Sequence, residues 1–332
     1  MRLETSAVAV FARHESFHPR YGWLKRAVDA AAEDPQVFAR EDAVVTLGVG
    51  KNMVRAIRHW GLVTKVLATS PNPLRPRMPL IKPSSFGKAL LGDDGLDPYC
   101  EDPATLWALH WRMLAPTSHA PVWWLALNEF PGIAFSHREL EDFVLDYLAR
   151  LQTWDAPHPG SVKKDVACFL RMYTAALGGA RATTDEGVDC PFRHLGLVRA
   201  EGRSFRFDLG NKPGLAPNVV LYACLDYVAR VDPGARSATV NRLATAVGGP
   251  GRAFKLTEES LTDILSRANQ ATARVDQLAG VPQLSWSHDP AGLAKQALWN
   301  HYVRRTKCGF PQMPLAGSSS DEALEEHAVG AA

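Results

Sequence analysis

The sequence predicts a mainly α-helical protein, in which an N-terminal winged helix-turn-helix is followed by a helical domain with a small β-hairpin. Three observations predict this fold. A turn at Gly48-Val-Gly50 leads into a stretch with helical spacing, two short strand-like segments follow it, and apolar residues at helical spacing recur through the rest of the chain. We expect the winged domain over 1–95, the helical domain over 96–312 and a disordered tail over 313–332, which is rich in Ser, Ala and acidic residues.

The composition is that of an ordinary globular protein, with 332 residues of which 46% are hydrophobic and 22% charged. No apolar run approaches the roughly 18 residues of a membrane span, and the N-terminus lacks the pattern of a secretory signal. The five cysteines are scattered without CxxC spacing, which argues against a zinc site or a disulfide framework. We therefore expect a cytoplasmic protein without a membrane partner.

Positive charge is concentrated at the N-terminal end of the chain. Residues 1–90 contain 14 Lys and Arg against 7 Asp and Glu, whereas the remainder contains 23 against 28. A local basic excess of this kind is typical of a protein that binds a phosphate backbone. By itself it does not distinguish DNA from RNA.

The predicted recognition helix is the stretch after Gly50. Met53, Ile57 and Trp60 are spaced i, i+4, i+7 and share one face. Polar and basic residues occupy the other side and are the candidate DNA-binding residues: Lys51, Asn52, Arg55, Arg58 and His59. Residues 41–47 would be the first helix of the motif, and Gly61 would cap the second. The alternative is a solvated surface helix with an ordinary basic face.

A hairpin is predicted directly after this helix, with strands at 64–67 and 79–83. The loop from 68 to 78 contains three prolines together with Arg75 and Arg77, which suit contacts to the minor groove or the backbone. Ser84 or Ser85 can cap the helix that closes the domain.

Helix starts and one hairpin are predicted in the C-terminal part. An N-cap at Asp102 before a proline, a capping box at Ser136 and Glu139, and a cap at Thr257 indicate helix starts. Further helices are expected at 216–231, 237–247, 258–274 and from 289 onward, with a polar loop at 179–190 and a half-buried hairpin within 195–209. The glycine-rich stretch 248–252 lacks the GK[ST] of a phosphate-binding loop and is expected to be a loop, so no nucleotide cofactor is expected.

Three phrases of the sequence together resemble one bacterial family. They are Phe11-x-Arg-His-Glu-x-Phe17 followed by Arg20-x-Gly-Trp-Leu-Lys25, then Leu47-Gly-Val-Gly-Lys-Asn-Met53, and Asp97-Pro-Tyr-x-Glu-Asp102 with Thr105-Leu-Trp-x-Leu-His110. The family is that of the SspB-like DNA-nicking endonucleases of the single-stranded DNA phosphorothioation (Ssp) defence system. The resemblance implies a protein that binds double-stranded DNA, cuts one strand and works with sulfur-transfer proteins, namely a cysteine desulfurase, an ATPase and a PAPS-reductase-like enzyme.

A nicking enzyme must activate water and stabilise charge on the scissile phosphate. The sequence has no known nuclease signature, and the nearest constellation is Arg13-His14-Glu15 with His18 and Arg20. Histidine can act as a general base, Glu15 can hold a divalent metal such as Mg²⁺ or Mn²⁺, and the two arginines can clamp phosphate. The alternative is that His14 and Glu15 only anchor this segment to the winged domain.

A second candidate cluster is weaker. It comprises Asp97, Glu101, Asp102 and His110, but Asp102 has a sufficient role as an N-cap and His110 lies on an apolar helix, where a hydrogen-bonded core histidine is expected. Two other functions stay open beside nicking. One is a non-catalytic DNA-binding adaptor that recruits sulfur-transfer enzymes, and the other is a winged-helix transcription regulator.

Overall fold

A computed structural model describes residues 1–174 and 190–303 of the chain. The described residues are mainly α-helical, as predicted. Most of the predicted polar loop at 179–190 and all of the predicted tail at 313–332 lie outside them. The chain divides into two compact units. One is Arg13–Glu101, and the other joins Met1–Ala12, which includes helix α1 (Leu3–Ser6), to the residues from Asp102 onward.

The 13–101 unit contains four helices and one two-stranded sheet. In chain order they are α2 (Trp23–Glu33), a short 3-10 helix (Val37–Ala39), α3 (Ala43–Leu47), α4 (Lys51–Val63), β1 (Leu67–Ser70), β2 (Leu80–Pro83) and α5 (Ser85–Leu91). The strands pair antiparallel, with Leu67 opposite Pro83 and Ser70 opposite Leu80.

The turn between α3 and α4 depends on two glycines. Gly48 ends α3 with φ +59°, in the left-handed region that glycine adopts without steric cost, and Gly50 is the N-cap of α4. Helix α4 then buries Val54, Ile57 and Trp60, whereas Met53 is only half-buried. The predicted inward face is confirmed for Ile57 and Trp60.

The prediction that Gly61 caps α4 is wrong. The helix continues to Val63, and the chain leaves it through Lys65, which has φ +58°. Gly61 lies inside the helix, where an added Cβ would come within 2.5 Å of the Leu67 Cδ1 atom, so its smallness admits the side chain of β1. Because residues 64–66 form this exit turn, β1 begins three residues later than predicted.

The other unit is built from nine further helices and two three-stranded sheets within the described residues. The helices are α6 (Pro103–Leu114), α7 (Pro121–Asn128), α8 (His137–Ala149), α9 (Pro159–Tyr173), α10 (Pro217–Val231), α11 (Val240–Thr245), α12 (Pro250–Phe254), α13 (Glu258–Ser266) and α14 (Pro290–Val303). The strands are β3 (Ala134–Ser136), β4 (Val198–Glu201), β5 (Ser204–Phe207), β6 (Ser237–Thr239), β7 (Arg274–Leu278) and β8 (Val281–Ser285), and a short 3-10 helix spans Pro191–Leu195. None of the helices in the described residues is long and apolar enough to cross a membrane.

The two sheets differ in how far they were predicted. The predicted hairpin is present as β4 and β5, and β3 adds a third strand beside β5. The second sheet, in the order β6-β8-β7, differs from the prediction. Residues 237–239 and 274 form strands, and the helices predicted over them are limited to α11 and α13. The prediction of a loop over 248–252 is wrong in its second half, because Pro250 starts α12 and proline is tolerated in the first helical turn.

The predicted caps are confirmed. Asp102 accepts a hydrogen bond from the Ala104 N–H, Ser136 and Glu139 form a reciprocal capping box, and the side chain of Thr257 caps α13. In the 13–101 unit Ser84 caps α5 by accepting from the Gly87 N–H. The core of the larger unit is aromatic, with Trp107, Trp111, Trp123 and Trp124 almost completely buried.

Candidate nucleic-acid interface

Helix α4 presents a polar, basic face to solvent. Lys51, Asn52 and Arg55 are exposed, while Arg58 and His59 are half-buried toward the C-terminal end of the helix. The first N–H groups of a helix have no intrahelical partner and, with the helix dipole, favour a phosphate there. No side chain caps the N-terminus of α4, which begins at Lys51. Lys51 and Asn52 therefore stand where an anion would be bound best.

The segment before α2 is packed onto this helix through aromatic contacts. His14 is 1% exposed, and its imidazole stacks on the indole of Trp60 with ring centroids 6.2 Å apart. The His14 Nδ1 accepts a hydrogen bond from the Ser16 N–H at 3.0 Å, and the Trp60 Nε1–H donates to the Phe17 carbonyl at 2.9 Å. This geometry favours the alternative in which His14 anchors the segment to α4.

Within the predicted catalytic segment, Arg13 is exposed and Glu15 is partly exposed. The Glu15 carboxylate pairs with Arg55 at 3.3 Å, and its side chain is 31% exposed. Burial of Arg58 lowers the pKa of its guanidinium, and the positive charge of the exposed Arg13 lowers it further. The structure thus brings two residues of the predicted catalytic segment beside two residues of the predicted DNA-binding face.

The backbone of this segment is strained. Among the described residues seven non-glycine residues have positive φ, and three of them, Ala12, Glu15 and Ser16, fall within five positions, at +55°, +51° and +68°. The left-handed conformation costs a residue with a Cβ about 1 to 2 kcal/mol. Strain of this kind persists only where the surrounding contacts enforce it, and it concentrates at functional sites.

Arg20 and His18 are held by contacts with neighbouring groups of the same segment and of α2. The Arg20 guanidinium lies over the rings of Phe17 and Trp23, at 5.5 and 5.4 Å from their centroids, so it is held in cation–π contacts. His18 is 8% exposed, and its Nδ1 donates to the carbonyl of Pro19 at 3.2 Å. Arg20 is half-buried, in contrast to the exposed Arg13.

Arg75 and Arg77 lie on the loop that joins β1 to β2. Both side chains are exposed, and within the described parts of the chain neither forms a salt bridge. The hairpin therefore adds two solvent-facing cations to those of α4 in the same unit.

Glu15 is the predicted ligand for a divalent metal ion. No group of three or more His, Cys, Asp or Glu able to hold a metal occurs within residues 1–174 and 190–303. Glu15 supplies one carboxylate, and that carboxylate is paired with Arg55, whose charge opposes that of a cation. A divalent metal ion bound by Glu15 would therefore compete with Arg55 for the carboxylate.

The second candidate cluster is accounted for by structural roles. Asp97 accepts a hydrogen bond from the Glu101 N–H, and Asp102 caps α6 while its other oxygen lies 2.7 Å from the Nε2 of His301. His110 is completely buried, with its two ring nitrogens 2.9 Å from the Tyr173 hydroxyl and the Ala253 carbonyl. Burial lowers the pKa of His110 to about 4. The prediction of a hydrogen-bonded core histidine is confirmed.

The sequence does not predict the contact between His14 and Trp60. Helical spacing places Trp60 on the inward face of α4, but nothing in that spacing indicates which residue covers it. The only available signal was local, namely two histidines and two phenylalanines spread through residues 11–18, a density of rings that a solvated segment does not need.

Comparison with known proteins places the chain in a family. A family model described as a protein of unknown function (DUF4007) matches residues 11–302. No functionally curated protein sequence matches significantly. Two solved structures match. An SspB crystal structure is 34% identical, with a TM-score of 0.85 and coverage of 94% of both chains. A magnesium-ion-bound SspB crystal structure is 35% identical, with a TM-score of 0.86 and coverage of 94% of this chain and 93% of that chain. The chain belongs to the DUF4007 family and is similar to SspB along nearly its whole length.

Proposed function

We propose that this protein binds double-stranded DNA through a winged helix-turn-helix in the 13–101 unit, and that it nicks one strand within a DNA phosphorothioation (Ssp) defence system. The observation that carries the proposal is the division of α4 into a buried apolar side and an exposed basic side. Ile57 and Trp60 are fully buried, while Lys51, Asn52 and Arg55 face solvent at the N-terminal end of the same helix.

The order of elements around α4 supports the winged helix-turn-helix. Helix α3 and α4 are joined by a three-residue turn, and the antiparallel pair β1–β2 follows α4 directly. In such domains the second helix of the motif enters the major groove, and the wing reaches the backbone or the minor groove. Arg58 and His59 extend the basic face of α4, and Arg75 and Arg77 occupy the wing.

The similarity to SspB supports the placement in an Ssp system. Identity of 34–35% over 94% of the chain is high enough for a shared role to be the first hypothesis. The proposed partners are then the sulfur-transfer proteins of that system, a cysteine desulfurase, an ATPase and a PAPS-reductase-like enzyme. Because these partner proteins would work together with it, we propose that the protein acts in the cytoplasm.

The proposed nicking site is the segment from Arg13 to Arg20, because it is strained and borders the DNA-binding face. In this proposal the oxygen of the attacking water bonds to phosphorus while Glu15 takes a proton from that water, and Arg13 stabilises the charge that develops on the phosphate. The P–O bond to the sugar oxygen then breaks, and the released oxygen takes a proton from solvent water. His14 holds these two residues in place by its stacking on Trp60, and Arg20 holds the end of the segment on Phe17 and Trp23.

Incubation of the purified protein with supercoiled plasmid tests the proposal. The reactions contain Mg²⁺, Mn²⁺ or a chelator, because the related SspB has been crystallised with magnesium. We expect open-circular product from the wild type, and none from Glu15→Gln, which keeps the shape of the side chain but removes the carboxylate. Glu141→Gln, a change of a carboxylate on α8 outside the proposed site, is the matched control and should nick normally.

A non-catalytic adaptor is the second candidate, and the burial of His14 favours it, because that histidine cannot reach a substrate as a general base. Tight duplex binding without plasmid nicking by the wild type would establish the adaptor. High affinity restricted to its own promoter would establish the winged-helix regulator instead. Full nicking by Glu15→Gln would show that the active site lies elsewhere in the chain.

A further inference from the structure

The loop between β1 and β2 exposes one large apolar side chain at its tip. Leu74 is 90% exposed, the most exposed of the large hydrophobic residues in the described parts of the chain. It is followed at once by Arg75, and Arg77 comes two residues later, both exposed. An isolated exposed leucine needs no explanation, but one placed beside two exposed arginines on a hairpin loop has the composition of a contact surface.

The loop is held in a fixed conformation around a buried amide. Asn72 is only 6% exposed, and its Oδ1 accepts from the N–H groups of Leu74 and Arg75, both at 3.1 Å. Its Nδ2 donates to the Met78 carbonyl at 3.0 Å, across the base of the loop, and the Met78 N–H donates to the Arg75 carbonyl at 2.8 Å. Four prolines, at 71, 73, 76 and 79, fix φ on both sides of the tip.

A preformed loop presents Leu74 without an ordering cost on binding. Exposing an apolar side chain to water is unfavourable compared with burying it, and a fixed loop cannot fold it back into the core. A ligand that matches this tip carries negative charges that pair with the two arginines. Between those charges it offers an apolar surface that contacts the leucine. Stacked base pairs lying between two phosphate backbones have this arrangement, and proteins bind them from the minor groove with apolar wedges flanked by cations.

We propose that Leu74 is a wedge that inserts between two base pairs from the minor groove, with Arg75 and Arg77 on the flanking backbone or groove edge, and that it kinks the duplex. The inference rests on the proposed function, in which this hairpin is the wing of a DNA-binding domain. It goes further in naming an apolar contact that unstacks the DNA and selects deformable sites. Because pyrimidine–purine steps unstack most easily, the wedge should prefer TA and CA/TG steps over an A-tract.

The wedge is tested with a duplex that carries 2-aminopurine beside a TA step, whose fluorescence rises on unstacking. We expect the wild type to raise the fluorescence and to bend the duplex by about 20° or more, as wedge-inserting proteins do. Leu74→Ala should return the fluorescence to that of the free duplex and remove the bend, whereas Leu74→Met, which keeps a long apolar side chain, should retain both. Leu278→Ala removes another exposed leucine, which lies in the hairpin β7–β8, and should behave as the wild type.

The binding curve measured on the same duplex separates this inference from the proposed function. If the wild type binds the duplex and the binding depends on salt, but fluorescence and bend stay those of free DNA, the wedge is overturned and the DNA-binding function stands. An unchanged response in Leu74→Ala overturns the wedge as well. If the wild type does not bind the duplex at all, the result contradicts both the wedge and the proposed DNA-binding function.

Discussion

The imidazole of His14 stacks on the indole of Trp60, with centroids 6.2 Å apart and ring planes inclined by 22°. The two residues are separated by 46 positions in the sequence, and both are almost completely buried. Through this contact the strained segment 13–20 is fixed to the C-terminal half of α4. The position of Glu15 and Arg13 beside the basic face is therefore fixed by this ring contact together with the Trp60–Phe17 hydrogen bond and the Glu15–Arg55 ion pair.

Replacement of His14 by alanine should destabilise the 13–101 unit. The change removes a buried ring from Trp60 and leaves the Ser16 N–H without the Nδ1 acceptor, and we expect a loss of about 2 to 4 kcal/mol in the free energy of unfolding. Chemical denaturation followed by tryptophan fluorescence measures it. His288→Ala, which removes an exposed histidine of the other unit, is the control. A His14→Ala variant as stable as that control would contradict the anchoring role.

The buried His110 should make the stability of the other unit depend on pH. Its pKa is about 4 in the folded protein and about 6.5 when unfolded, so between these values the unfolded chain binds more protons than the folded one. The stabilisation is therefore complete above pH 6.5 and is lost as the pH falls toward 4. Between pH 7 and pH 5 the free energy of unfolding should fall by about 1 to 2 kcal/mol less in His110→Gln than in the wild type. The free energy of unfolding is measured by chemical denaturation at each pH. An equal fall between pH 7 and pH 5 in the two proteins would contradict this account.

The elements that the sequence predicted best are those fixed by local chemistry. Asp102 before Pro103 and the pair Ser136 and Glu139 define helix starts because their side chains satisfy free backbone N–H groups within three residues. The turn at Gly48 was predictable for the same reason, since only the local backbone conformation is involved. These signals do not need the rest of the fold.

The misassigned elements depend on partners distant in the sequence. Gly61 resembles a helix cap, but its neighbour is Leu67 on a strand that packs against the helix, and no local pattern indicates that approach. The sheet β6-β8-β7 was missed because β6 is three residues long and pairs with a strand about 45 positions later. For the candidate site, the residues on the face of α4 follow from helical periodicity, whereas the pairing of Glu15 with Arg55 requires the tertiary structure.

The dependence of duplex binding on salt tests the central claim, that α4 binds the phosphate backbone, most directly. A titration across salt concentrations should give a linear fall of log K with log salt for the wild type, and Lys51→Ala and Arg55→Ala should each weaken binding and reduce the slope by about 1. Lys163→Ala, an exposed lysine on α9, should leave the slope unchanged. Slopes for Lys51→Ala and Arg55→Ala equal to that of the wild type would contradict the account.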